Sequence, residues 1–258
     1  MNIAILTGAT GGIGTEFVEN LIKEDLDQIW CIARNEKKLN ALKQKHGQVI
    51  RTFSMDLSLE QSILDIQAVL KEEQPNVKTL INNAGIAIIG RFDDFDLETT
   101  RKYIDLNVKS VVMLTEVVMP FMKSGSHIIN MSSQSSFQPL PYINLYASGK
   151  AFIRSYSRSL NQELKGSGIK VTACCPGWID TEMLPKDYNG VKIKYPGLSK
   201  PADVAKKALK DAKKGKDMSV YSLYVKAQHV AAKLLPQKMV MKYWLFTNRE
   251  IVKTKRIK

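Results

Sequence analysis

The chain has 258 residues, 44% of them hydrophobic, enough to bury one sizeable core, and no apolar run nears the ~18 residues of a membrane span. Met1 leads straight into a strand-like run, without the basic segment and apolar stretch of a signal peptide. The three cysteines, two of them adjacent, make a poor disulfide framework and suit a reducing, cytoplasmic setting. The formal charge of +13 is uneven: residues 1–185 hold 19 Lys/Arg against 20 Asp/Glu, and residues 186–258 hold 19 against 5, a surplus of 14.

In chain order, residues 2–6, 28–33, 49–53, 79–82, 127–131 and 170–174 read as strands. Segments 13–24, 36–45, 60–73, 98–119, 146–165 and 201–214 have helical period. Ser58 is placed to cap the third helix with Gln61 reaching back, and Pro201 falls in the first turn of the sixth. Strands apolar on both faces that alternate with helices predict a doubly wound α/β fold, its parallel sheet covered on both sides. No repeat or Pro/Gly/Ser-rich linker divides the chain. We therefore expect a catalytic domain over 1–216 and a basic amphipathic extension over 217–258. His46, His127 and His229 lack metal-ligand spacing, so no metal site is expected.

The first strand runs into "TGATGGIG". In a sheet of this kind, ligands sit beyond the carboxyl ends of the strands, where glycines let a phosphate approach a helix N-terminus. Gly8 permits the tight turn, Gly12 the close approach and Gly14 the packing of helix on strand. Further along, Tyr146 and Lys150 lie four apart, on one face of a helix, and an ammonium favours a nearby phenolate. Ser133 ends the strand "HIINMSS" and so points into the same crevice.

The turn "TGATGGIG", "NNAG" at 82–85, "YASGK" at 146–150 and "PGWIDT" at 176–181 stand in the order and at roughly the distances of the short-chain dehydrogenase/reductase family, which the chain resembles over about residues 1–215. The resemblance implies a Rossmann-type sheet of seven parallel strands, a nicotinamide cofactor, and hydride transfer between alcohol and carbonyl. It implies Asn107, Ser133, Tyr146 and Lys150 as the catalytic set; Ser133 is preferred to Ser132 because it precedes Tyr146 by thirteen residues. Around the cofactor it implies Gly8, Thr10, Gly12, Ile13 and Gly14 at the turn, Asp56 and Leu57 at the adenine, and Asn83, Ala84 and Gly85 at the adenosine ribose. Lys150 would hold the nicotinamide ribose beside Tyr146, and Pro176, Gly177, Ile179 and Thr181 would lie along the carboxamide side. For Asp56 a helix-leading acid, and for Gly85 a structural role, remain open. Family habit also implies a homodimer or homotetramer through the helices 98–119 and 146–165.

The second strand ends at Ala33, where an NAD enzyme of this fold wants an acid, and Arg34 follows with a fork suited to a 2′-phosphate. NADP(H) is therefore expected over NAD(H), although Gly11 stands where many NADP enzymes carry a second basic residue. The segments flanking the substrate are apolar: 86–90, 137–145 with Tyr142, and a loop with Met183, Leu184, Tyr188, Val191, Ile193 and Tyr195, among which Lys186, Lys192 and Lys194 are interleaved. With Ser133 and Tyr146 they favour a lipophilic ketone or secondary alcohol of steroid, bile-acid or fatty-acyl kind. A reductase of a small polar carbonyl and a non-catalytic nucleotide sensor are the alternatives.

Beyond Lys216, Leu223, Ala227, Val230, Ala231, Leu234 and Leu235 fall on one helical stripe with Lys226 and Lys233 off it. Pro236 then separates "KMVMKYWLF". Two readings stand: a lid docked by its apolar stripe, or a basic interfacial helix on an anionic membrane surface, with the last residues adding charge without structure. Nothing resembles a nucleic-acid motif, and few aromatics interleave the lysines, so no nucleic-acid partner is expected.

Overall fold

The computed structural model describes residues 1–182, 184, 187–188, 191–192 and 195–248. Its main sheet is parallel and seven-stranded, formed by β1 (Asn2–Thr7), β2 (Gln28–Ala33), β3 (Ile50–Ser54), β4 (Asn76–Asn82), β5 (His127–Met131), β6 (Lys170–Cys174) and, after a short antiparallel pair β7 (Asp187–Tyr188) and β8 (Val191–Lys192), β9 (Met218–Ser219). The strand order is β3-β2-β1-β4-β5-β6-β9, so the winding reverses between β1 and β4 and opens a crevice at their carboxyl ends. β9 lies beyond Lys216, so the sheet reaches into the segment read from sequence as an extension.

Strand alternation divides the core. Ala4 and Leu6 face α1 (Gly12–Leu21), α2 (Glu36–His46) and α7 (Pro201–Lys213), which packs beside α1 on the same face of the sheet. Ile3 and Ile5 face α3 (Glu60–Glu73) and α5 (Ser110–Val118). A buried polar chain ties the middle together: the Asn82 amide donates to Asn130 Oδ1 at 2.8 Å, and Asn130 Nδ2 donates to Ser157 Oγ at 2.9 Å on α6 (Asn144–Glu163). Fully satisfied networks of this kind fix one arrangement of the elements they join.

Two local expectations give way. Ser58 does not cap α3, whose N-cap is Leu59 without a side-chain bond; the Ser58 amide and hydroxyl instead both donate to Asp56 Oδ1, at 3.0 and 2.8 Å. The helix read over 98–119 is α4 (Leu97–Ile104), a π-helical turn at Asp105–Lys109, then α5. Such turns are rare and cluster at functional sites.

The C-terminal segment forms α8 (Leu223–Leu234) and α9 (Gln237–Thr247). α8 docks, but not by the stripe read from sequence. Val225, 1% exposed, packs among Phe137, Ala173, Cys175 and Val220, and the His229 ring lies 4.3 Å from that of Phe137. Leu223, Val230, Leu234 and Leu235 face outward. The receiving surface decides the phase: Gly177 leaves room for Val225, which a Cβ there would meet at 2.7 Å. α9 docks through Trp244, packed on Leu140, Ile143 and Ala147, with its Nε1–H donating to the Pro141 carbonyl at 3.0 Å.

Candidate active site

The glycine turn sits at the carboxyl end of β1. Gly8 has φ +65, a left-handed conformation, and a Cβ there would meet Asn83 Nδ2 at 2.8 Å. Asn83 is held by the carbonyls of Thr7 and Gly8, both at 3.1 Å, and the Thr7 hydroxyl accepts from the Asn83 and Ala84 amides. "NNAG" is thus locked to the first strand. Gly14 is packed so closely on Gly8 that no side chain fits. α1 begins at Gly11 with no side-chain cap and no acid in its first turn, leaving unsatisfied N–H groups pointing at the crevice. Gly12 is exposed, and the methyl of Thr181 lies 2.6 Å from where its Cβ would be, so Thr181 packs directly against the turn. A bare, uncapped helix start fits a nucleotide pyrophosphate.

Around it, Thr10 and Ile13 are partly exposed, and Leu57 is buried in the sheet core. Arg34 is exposed beside Asp56. Burial raises the Asp56 pKa, but Ser58's two hydrogen bonds, with Arg34 and Lys102 nearby, outweigh it and leave the group below the usual carboxylate range. Pro176 and Ile179 are buried, with Gly177 half-buried between them. The Leu184 amide donates to the Thr181 carbonyl at 3.1 Å. Met183, Lys186, Ile193 and Lys194 lie outside the described residues, as do the side chains of Tyr188, Val191 and Lys192.

The reacting end is built by β5, α6 and the π turn. Ser132 and Ser133 have different employment: the Ser132 hydroxyl donates to the Lys150 carbonyl at 2.7 Å, while the Ser133 hydroxyl accepts from the Ser135 amide at 3.1 Å and stands near enough to the Tyr146 phenol to lower its pKa. Lys150 Nζ donates to the Met131 carbonyl at 2.8 Å and lies 5.8 Å from the centre of the Tyr146 ring. Burial lowers the Lys150 pKa to about 8. Burial also raises the Tyr146 phenol, opposed by the nearby Ser133 hydroxyl. In this arrangement both groups are desolvated, and the Lys150 amine is turned to the Met131 carbonyl.

Asn107 is buried on the π turn. Its Nδ2 donates to the Tyr103 carbonyl at 3.1 Å, and its Oδ1 accepts from the Ile86 amide at 3.2 Å. Gly85 lies between: a Cβ there would meet Asn107 Oδ1 at 2.7 Å and Lys150 Nζ at 3.6 Å. Asn107, Gly85 and Lys150 therefore converge. Sequence reasoning missed Tyr103, whose buried ring lies against Gly149 and whose hydroxyl donates to the Tyr146 carbonyl at 3.3 Å. Its place four residues before Asn107 was the available signal. Tyr142, with φ +64, ties the two apolar walls by accepting the Gly90 amide at 2.7 Å.

A family model described as short chain dehydrogenase matches residues 2–191. The very-long-chain 3-oxoacyl-CoA reductase of Rattus norvegicus is 33% identical over 211 residues, covering 77% of this chain and 64% of the rat protein. An uncharacterized oxidoreductase of Staphylococcus epidermidis is 30% identical over 183 residues, covering 70% of this chain and 79% of its own. Among solved structures, a short-chain dehydrogenase from Sphingobium yanoikuyae in complex with NADPH superimposes with a TM-score of 0.78 at 27% identity, covering 93% of this chain and 95% of that one. The uncapped glycine turn and the matched family model lead to one conclusion: the chain belongs to the short-chain dehydrogenase family and is an oxidoreductase of that type.

Proposed function

We propose that the protein is an NADP(H)-dependent reductase of a lipophilic ketone, or dehydrogenase of the matching secondary alcohol, working through Asn107, Ser133, Tyr146 and Lys150. The observation that carries the reading is the convergence at one end of β5 of Tyr146 and Lys150 on one helix face, with the Ser133 hydroxyl near enough to the phenol to lower its pKa and Lys150 Nζ 5.8 Å from the Tyr146 ring centre. The nicotinamide cofactor supplies the hydride. Tyr146 gives its phenolic proton to the carbonyl oxygen in reduction and removes it in oxidation. Ser133 holds that oxygen in line by donating a hydrogen bond that strengthens as charge develops. Lys150 would hold the cofactor ribose, and its positive charge near the phenol would lower the phenol's pKa. Asn107, on its π turn, would hold a water through which protons are relayed to Lys150. A non-catalytic sensor needs none of these four groups together.

For the cofactor, support comes from Arg34 after Ala33 and from the Sphingobium relative's NADPH. The uncapped turn at α1 takes the pyrophosphate; Gly8, Thr10, Gly12, Ile13 and Gly14 line it, with Asp56 and Leu57 at the adenine. For the substrate, support comes from the walls: Leu140, Ile143 and Trp244 are apolar, and the rat relative's name is that of a long-chain acyl reductase. Tyr142 and Leu184 stand on that side. We further propose a catalytic domain assembling as a homodimer or homotetramer, in a cytoplasmic setting. Following NADPH oxidation at 340 nm against a panel of hydrophobic ketones and small polar carbonyls tests the substrate class. Turnover confined to the polar set overturns it.

A further inference from the structure

We propose that the outward faces of α8 and α9 form a docking surface for an anionic phospholipid membrane. This surface is separate from the reaction, and its test is independent of the substrate assignment. Three observations carry it.

First, the tail is held to the domain by one face and leaves an apolar stripe on the other. Val225, His229 and Ala232 on α8 and Trp244 on α9 pack on the domain. On the far side, Leu223 is 79%, Leu234 78%, Val230 54% and Met239 57% exposed. A helix normally turns such a stripe to the core; here the core has taken the opposite face, and none of the described residues covers the stripe.

Second, the charge is of one sign. Between Leu223 and Asn248 there are four lysines and no aspartate or glutamate. At 100° per residue, Lys226 and Lys233 lie on the same flank of the α8 stripe. Lys242 stands in the same relation to Met239 and Tyr243 on α9, with Lys238 further round that side. An apolar strip bordered by lysines is the pattern of a helix lying in the plane of a lipid headgroup layer. Each lysine near an anionic leaflet adds attraction that salt weakens.

Third, the competing occupant fits poorly. A second copy of the chain would bring the same stripe with the same lysines, setting like charges against each other without a carboxylate to relieve them. An anionic headgroup layer meets both the apolar strip and the lysines. No helix among the described residues is long and apolar enough to cross a membrane, so the contact is interfacial.

The test uses the full chain with sedimentable vesicles of phosphatidylcholine alone or mixed with phosphatidylglycerol. The proposal expects binding to the mixed vesicles at least about tenfold tighter than to the neutral ones, and weakened by added salt. Leu223→Asp/Leu234→Asp should lose about tenfold or more in partitioning, with melting temperature and turnover of a water-soluble ketone unchanged. A second variant, Lys226→Gln/Lys233→Gln/Lys238→Gln/Lys242→Gln, should lose the preference for the anionic vesicles; it covers the case in which the aspartates impair folding. No sedimentation of the full chain overturns the proposal, as does undiminished binding by both variants. A fall in oligomeric mass on size exclusion with Leu223→Asp/Leu234→Asp also overturns it, since the stripe would then belong to a second copy.

Discussion

Replacing Gly85 with alanine probes how tightly the proposed catalytic groups converge. The new methyl would stand 2.7 Å from Asn107 Oδ1, well inside contact distance, and 3.6 Å from Lys150 Nζ, which is ordinary contact. The asparagine must therefore give way rather than the lysine. It cannot move without breaking its bond from the Ile86 amide at 3.2 Å or straining the one it makes to the Tyr103 carbonyl at 3.1 Å. Losing a buried hydrogen bond of this kind costs about 1–3 kcal/mol, which for a chain of this size lowers the melting temperature by roughly 2–12 °C. A displacement of the order of 1 Å in a positioned catalytic group costs about 10²-fold in rate. We expect Gly85→Ala to fold, to melt a few degrees lower, and to lose about two orders of magnitude in kcat with a smaller change in KM. In the double variant with Asn107→Ala, the added loss from Gly85→Ala should largely vanish, because both act on one group. Full kcat in Gly85→Ala, or additive losses in the double variant, would refute the convergence of Gly85 and Asn107.

Ala33→Asp/Arg34→Ala should turn the cofactor preference in kcat/KM from NADPH towards NADH; a wild type that prefers NADH sinks the assignment of Arg34. Because burial holds the Lys150 pKa near 8 against an ordinary 10.5, the unfolded chain binds more protons over that window. Stability in the cofactor-free protein should therefore rise between pH 8 and 10.5, by up to roughly 3 kcal/mol relative to Lys150→Met. Parallel melting curves for the two proteins across that range would contradict it. Trp244→Ala removes the bond to the Pro141 carbonyl and the packing on Leu140, Ile143 and Ala147. It should raise KM for hydrophobic ketones and cost about 2 kcal/mol in stability, read by calorimetry; an unchanged KM would mean that α9 does not shape the substrate side.

Where the sequence carried local information, it was legible. The strands Gln28–Ala33, His127–Met131 and Lys170–Cys174 agree at both ends with runs visible by eye, because each is an apolar stretch bounded by turn residues. The glycine turn and the one-face pairing of Tyr146 with Lys150 were readable for the same reason. What escaped depends on distant partners. The π turn at Asp105–Lys109 breaks a helix that periodicity reads as continuous, and Asn107 within it bonds to Ile86, twenty-one residues away in sequence. Ser58 looked like a cap until Asp56 claimed both its donors. On α8 the apolar periodicity was real, but the fit of Val225 against Gly177 and of His229 against Phe137 chose the other face. The environment of Lys150 was equally invisible: its burial, and its bond to the Met131 carbonyl, follow from how α6 lies on β5.

The central claim is that Tyr146 is the proton donor of a working reductase, held by Ser133 and served by Lys150. Its most direct test is single-turnover NADPH oxidation by Tyr146→Phe with a ketone the wild type accepts, alongside NADPH binding by fluorescence. The account predicts turnover reduced to background with NADPH affinity within about twofold of wild type, because the substitution removes one hydroxyl and little binding surface. A near-normal rate in Tyr146→Phe would contradict it.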